Sequence, residues 1–256
     1  MAKPSAGLAH RWDVTPAEAR AIQERLRGRV SRRNSRRTVR HVAGVDISVK
    51  HDRARAAMVV LSFPDLQLVE VALAEEPVPF PYVPGLLSFR EIPSILAAAE
   101  RLTVDPDLVL VDGQGIAHPR RFGLASHLGV LLDKPTIGCA KTRLIGTHDE
   151  PYHEAGCYTD LWDKDELIGA VLRTRTNVKP LYISIGHKIE LPTALDRVLD
   201  CCRGFRLPEP TRMAHQAAGG RCDGKMLQTL DLCFRPNEIQ WKCHAKESYV
   251  RGYSKH

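Results

Sequence analysis

Several things are scarce in this sequence, and each scarcity excludes a class of protein. No apolar run approaches the roughly 20 residues a helix needs to cross a bilayer, so no membrane association is expected. The opening stretch, MAKPSAGLAHRW, lacks the apolar core of a secretory leader, and export is not expected either. Seven cysteines, an odd number without framework spacing, argue against a disulfide scaffold and for a reducing, cytoplasmic setting. Internal repeats and low-complexity stretches are absent. Acidic residues are the scarcer charge, 30 against 37 Lys and Arg, giving +7 and a pI near 9.1. That modest excess suits a polyanionic partner, although a basic enzyme of another kind would also carry it. What remains is 43% hydrophobic and 26% charged over 256 residues, enough to build a soluble core in one large domain or two small ones.

The chain then reads as follows. Thr15, with Pro16 behind it and Glu18 three positions on, forms a capping box for a helix through Ala19, Ile22 and Leu26. The basic stretch RGRVSRRNSRR is either a solvated turn or a phosphate contact. Segments 39–49, 55–63 and 66–74 alternate as strands with short links, which predicts an antiparallel meander. EEPVPFPYVPG is a proline-stiffened loop that cannot join a central ladder. LLSFREIPSILAAAERL predicts a helix bent or broken at Pro93. Beyond it lie the strand LVLV, a helix over FGLASHLGVLLD, the strand PTIGCA, two strands in ELIGAVLRTR and PLYISIG, and an amphipathic helix over LPTALDRVLDCC. Three antiparallel strands followed by strands alternating with helices predict an α/β fold, a mixed sheet with helices on its faces.

Two aspartates break that pattern. Asp46 stands inside the apolar strand VAGVDISV, and Asp112 ends LVLV. A lone buried carboxylate costs several kcal/mol unless it is paired or bound to a metal. Were the two strands neighbours, both acids would meet at the carboxyl edge of the sheet, within reach of Glu91 on the helix between them. An all-oxygen set of this kind suits Mg²⁺ or Mn²⁺ rather than zinc. Taken singly, each acid could equally be a strand-end cap or a buried partner for an arginine. Taken together in a basic chain, they point to phosphoryl transfer.

The blocks VAGVDISV, PYVPGLLSFRE, VDGQGIAHPRRFGLASHLGV, PTIGCAKTRLIG, LRTR and PEPTRMAH together resemble the endonuclease V family, deoxyinosine-directed repair nucleases with a ribonuclease H-like fold. The likeness runs from about Trp12 to Ala218. It implies that Asp46, Glu91 and Asp112 hold the divalent metal, Mg²⁺ with Mn²⁺ tolerated. It implies further that Lys141 lies beside the scissile phosphate and that His215 completes the centre. Unaided, Lys141 reads as a surface lysine and His215 as a helix-surface histidine. Tyr82, stiffened by Pro81 and Pro84, would serve as a wedge between bases. Gly85, Leu87, Gly113, Gly115, His118 and Gly123 would line a pocket for a flipped base, the glycines letting backbone approach it. Arg120 and Arg121 would meet phosphates or stand as solvated rim residues. The reaction implied is hydrolysis of the second phosphodiester 3′ to the inosine, leaving a 3′-hydroxyl and a 5′-phosphate.

Other readings stay open at this point: an inosine-directed ribonuclease, a flap- or mismatch-directed nuclease, or a binding module without catalysis. The expected organisation is one catalytic domain over 1–220 and an extension over 221–256, in a monomer. In the extension, Cys222, Cys233, Cys243 and His244 lack any C-x-x-C pair, so structural zinc is not expected. Lys242, Lys246, Arg251 and Lys255 could add basic contacts there.

Overall fold

The computed structural model describes residues 10–221. The residues weighed for zinc and the basic positions of the extension lie outside that range. The capping box forms as expected: Thr15 and Glu18 exchange side chain-to-backbone bonds and start α1 (Pro16–Arg27). Three strands follow, β1 (His41–Lys50), β2 (Arg53–Ser62) and β3 (Leu68–Pro77), paired antiparallel in sequence. Then come α2 (Leu87–Arg101), β4 (Leu108–Val111), α3 (Leu124–Leu132) and β5 (Thr136–Ala140). The second half of the sheet is β6 (Tyr158–Asp163), β7 (Glu166–Leu172) and β8 (Leu181–His187), and the described chain closes with α4 (Leu191–Asp200) and α5 (Glu209–Ala218).

All eight strands form one sheet in the order β3-β2-β1-β4-β5-β8-β7-β6. The two junctions β1–β4 and β4–β5 are parallel and the others antiparallel. Strand alternation sorts the core onto two faces. Val42, Ala57, Val59, Leu108 and Leu110 pack with α4 and α5, whereas Ala43, Val45, Met58, Val109 and Val111 pack with α2 and α3. The expected mixed α/β sheet with helices on both faces is therefore present. Among the described residues no helix is long and apolar enough to cross a membrane.

Three local expectations change. The helix containing Pro93 does not break there; α2 continues to Arg101. Ile92, Ile95, Ala98 and Ala99 are buried against the sheet, and that burial outweighs one missing backbone bond. The strand β6 escaped the pattern because it lies at the sheet edge, where only Leu161 is buried and polar residues occupy both faces. Consequently β6, β7 and β8 follow β5 as a second meander, without helices between them.

Candidate active site

The register of the parallel strands builds the charged end of the site. Val45 of β1 aligns with Val111 of β4, and the Asp112 N–H donates to the Val45 carbonyl at 3.3 Å. Asp46 and Asp112 are each the next residue, so they stand side by side where the β1–β4 ladder ends, β1 itself continuing against β2 to Lys50. Strand β5 ends one position before Lys141, whose ammonium pairs with the Asp112 carboxylate. Three adjacent parallel strands thus deliver an acid, an acid and a base, Asp46 from within β1 and the other two from just past the ends of β4 and β5.

His215 arrives from the far end of the sequence. Gly44 and Asp46, two residues apart, face the same side of β1. A Cβ at Gly44 would lie 2.0 Å from the backbone of Pro210, so only glycine admits α5 at this distance. One helical turn beyond Thr211, His215 Nδ1 lies 2.6 Å from Asp46 Oδ2. Glu91, in the second turn of α2, faces the same two aspartates across the edge of the sheet. Its pKa is pushed up to about 8, first by burial and then by the charges of Asp46 and Asp112. Asp46 is also raised, by burial and by Asp112, against the opposing pull of His215 and Lys141.

A cleft of about 470 Å³ leads from this cluster to the proline-stiffened loop. Asp112, Lys141, Thr142 and Arg143 line it together with Tyr82, Pro84, Gly85, Leu87, His118, Gly113 and Gly123, while Asp46, Glu91 and His215 lie behind Asp112 and outside its lining. Phe80 and Leu86 anchor the loop by burial with Ala19 and Phe89, leaving Tyr82 71% exposed between them. His118 is kept neutral, its pKa lowered to about 4 by burial and by Arg120.

Not every expected residue faces the cleft. Arg121 is tied to Asp163 and Glu166, each at 2.7 Å, and lies away from the cleft wall. Arg120 binds Gln23 Oε1 and the Gly85 carbonyl. The space beside Gly115 belongs to the β8 backbone, since a Cβ there would meet the Ile185 carbonyl at 2.1 Å. At Gly123 it belongs to the Gln114 carbonyl, 2.3 Å away. These glycines let the chain pack on itself, whatever else they border. Gln23, Gly44 and Arg143 were missed. Gln23 had a signal, being a polar residue on the α1 face that Ala19 and Leu26 also bury.

Comparison with known proteins agrees with this geometry. The endonuclease V family model matches residues 24–216. An endonuclease V from Dehalococcoides mccartyi is 55% identical over 211 residues, covering 82% of this chain and 95% of the relative. The crystal structure of endonuclease V from Streptomyces avermitilis superposes with a TM-score of 0.77 at 40% identity, over 90% of this chain and 99% of that one. That of Ciona intestinalis endonuclease V, in complex with a 24mer DNA containing an inosine followed by a ribo-adenosine, gives 0.70 at 31% identity, over 84% and 98%. Fold and site define a hydrolytic nuclease on a ribonuclease H-like sheet, with a carboxylate cluster at the ends of its parallel strands. The chain belongs to the endonuclease V family.

The family is metal-dependent. Among the described residues, no three His, Cys, Asp or Glu side chains stand at ligand spacing as they are. Lys141 holds Asp112 and His215 holds Asp46. The donor chemistry nonetheless fits a hard divalent cation: three carboxylates, two of them with raised proton affinity because their negative charges crowd one desolvated spot.

Proposed function

We propose that this chain is a Mg²⁺-dependent endonuclease, tolerant of Mn²⁺, that recognises deoxyinosine in DNA. It hydrolyses the second phosphodiester bond 3′ to that base, leaving a 3′-hydroxyl and a 5′-phosphate. The observation that carries this reading is the single cleft joining Asp112 and Lys141 to the Tyr82 loop, so that one bound strand can be read and cut together. The inosine-containing DNA held by the Ciona relative supports the same substrate.

Asp46, Glu91 and Asp112 would hold the ion, which when bound supplies Lewis-acid stabilisation of charge on the reacting phosphate. Lys141 adds a fixed positive charge beside it. The Asp46 carboxylate accepts the Nδ1 proton of His215, so a neutral imidazole keeps Nε2 as an acceptor for the proton of an attacking water. Tyr82, on a loop stiffened by Pro84, inserts beside the target base, and Gly85, Leu87, Gly113, His118 and Gly123 border the pocket that receives it. Arg143, exposed at the cleft mouth, is a better placed phosphate contact than Arg120 or Arg121. Residues 1–220 form the catalytic unit in this reading. Free Cys139, Cys157, Cys201 and Cys202 suit a cytoplasmic protein.

The ribo-adenosine next to the inosine in the Ciona complex favours a second reading, in which inosine-containing RNA is cut. Cleavage of matched DNA, RNA and singly ribo-substituted oligonucleotides, each with and without inosine and EDTA, separates the two. The first reading expects EDTA-sensitive cutting of the inosine DNA. Preference for the RNA supports the second, and EDTA-resistant or inosine-blind cutting contradicts both.

A further inference from the structure

One backbone oxygen in the cleft wall attracts more donors than it has lone pairs. The Gly85 carbonyl accepts from Arg120 Nη2 at 2.7 Å, His118 Nε2 at 2.9 Å and Gln23 Nε2 at 3.1 Å. Gln23 comes from α1, whereas His118 and Arg120 come from the loop after β4. Further bonds fix the orientation of each donor. The Arg120 N–H donates to His118 Nδ1 at 3.2 Å, which leaves the imidazole proton on Nε2, facing Gly85. Arg120 Nε donates to Gln23 Oε1 at 2.5 Å, so the amide nitrogen of Gln23 points the other way, to Gly85 and to the Phe122 carbonyl at 3.2 Å. Gln23 is 1% exposed, and its amide is fully used. Gly85 has φ +75°, and a Cβ there would come within 2.9 Å of Arg120 Nη2. The clamp therefore demands glycine by conformation, and any side chain there would also displace the Arg120 guanidinium from it.

We propose that Gln23, acting with Arg120, is a positioning residue. By holding the Gly85 carbonyl it fixes Tyr82, three residues earlier, over the cleft, and so sets how well inosine-containing nucleic acid is distinguished from inosine-free. The proposal rests on the reading of inosine recognition given above. Burial of Phe80 and Leu86 and packing of Val83 hold the loop on α1 and α2, and the bonds to the Gly85 carbonyl add a polar anchor on the side of the cleft wall. The prolines make the tip stiff, so an anchor at Gly85 is transmitted to Tyr82 rather than absorbed. Asp46, Asp112 and Lys141 take their positions from β1, β4 and β5, not from this clamp. Loosening it should weaken engagement of substrate and leave the chemical step alone.

Gln23→Met keeps the length and burial of the side chain and removes both its donor and its acceptor. KM for an inosine-containing oligonucleotide is expected to rise about tenfold, with kcat changed less than about twofold. In a Tyr82→Ala background the same substitution should add nothing to KM, because its route of action is gone. Arg120→Met, at a partly exposed position, should reproduce the split even where Gln23→Met folds poorly, and Arg120→Lys should restore part of it. An unchanged KM in both Met variants overturns the proposal, as does a fall in kcat on every substrate alike or an effect that adds in full to Tyr82→Ala. Were inosine recognition itself misassigned, the unsubstituted protein would cut both substrates equally, a result independent of either variant.

Discussion

At the carboxylate end of the cleft, every charged group is set by strand register or by a helix packed on a strand. Asp46 follows the last rung of the β1–β4 ladder, Asp112 and Lys141 follow the ends of β4 and β5, and Gly44 seats the helix that carries His215. At the tyrosine end there is no ladder. A loop hangs between two buried anchors, and side chains from elsewhere grip one of its carbonyls. The first end stores its strain as charge, with Glu91 pushed up to about 8 by burial and its acidic neighbours. The second carries no such charge; it depends on the left-handed conformation that glycine supplies at position 85 and leaves the Tyr82 ring exposed. Substitutions at the two ends should therefore fail differently: those at the first stop turnover, and those at the second loosen binding.

The largest expected break in that contrast is Asp112→Asn, which should reduce cleavage on the order of a thousandfold or more in a gel assay while leaving the fold intact. Retention of most of the activity would place the chemistry elsewhere. Next comes Gly44→Ala, whose new methyl group would force α5 away from β1. Denaturant unfolding should show a loss of about 1–3 kcal/mol from overpacking, and cleavage should fall as His215 leaves Asp46. An unchanged midpoint would mean that α5 tolerates the shift. At the opposite end, Tyr82→Ala should weaken binding of inosine-containing oligonucleotide by about 1–3 kcal/mol, the usual worth of one stacked base, with metal affinity unaltered. A lost metal affinity would erase the distinction between the two ends.

A separate effect concerns pH without metal. Glu91 has its folded pKa raised above the unfolded value of 4.5, so the folded state binds the extra proton between that pH and about 8. Stability of the metal-free protein should therefore be greatest at the acid end of this window and decline as pH rises through it. Glu91→Gln should flatten the decline, as read by thermal melting in EDTA at a series of pH values. A melting profile equally steep in that variant would assign the trend to another group.

The contrast also explains which features were legible in the sequence. Asp46 and Asp112 stood out because a carboxylate is rare inside an apolar strand, and the Thr15–Glu18 capping box because its logic is wholly local. The arginines behind Asp112 were not legible. Their long side chains choose partners by tertiary proximity, and Arg121 found Asp163 and Glu166 more than forty residues away. Strand β6 was hidden because an edge exposes both of its faces. Of the two readings at Pro93, the break does not occur, because local propensity was weighed without the core that Ile92 and Ile95 enter. Gly44 reads as an ordinary strand glycine until α5 is seen against it.

The account turns on three acids sharing one divalent ion. Titration with Mn²⁺ followed by electron paramagnetic resonance, on the unsubstituted chain and on Asp112→Asn and Glu91→Gln, addresses this without reference to turnover. Saturable binding that Mg²⁺ displaces, weakened at least about tenfold by either substitution, is the predicted result. Equal Mn²⁺ affinity in all three proteins would contradict it.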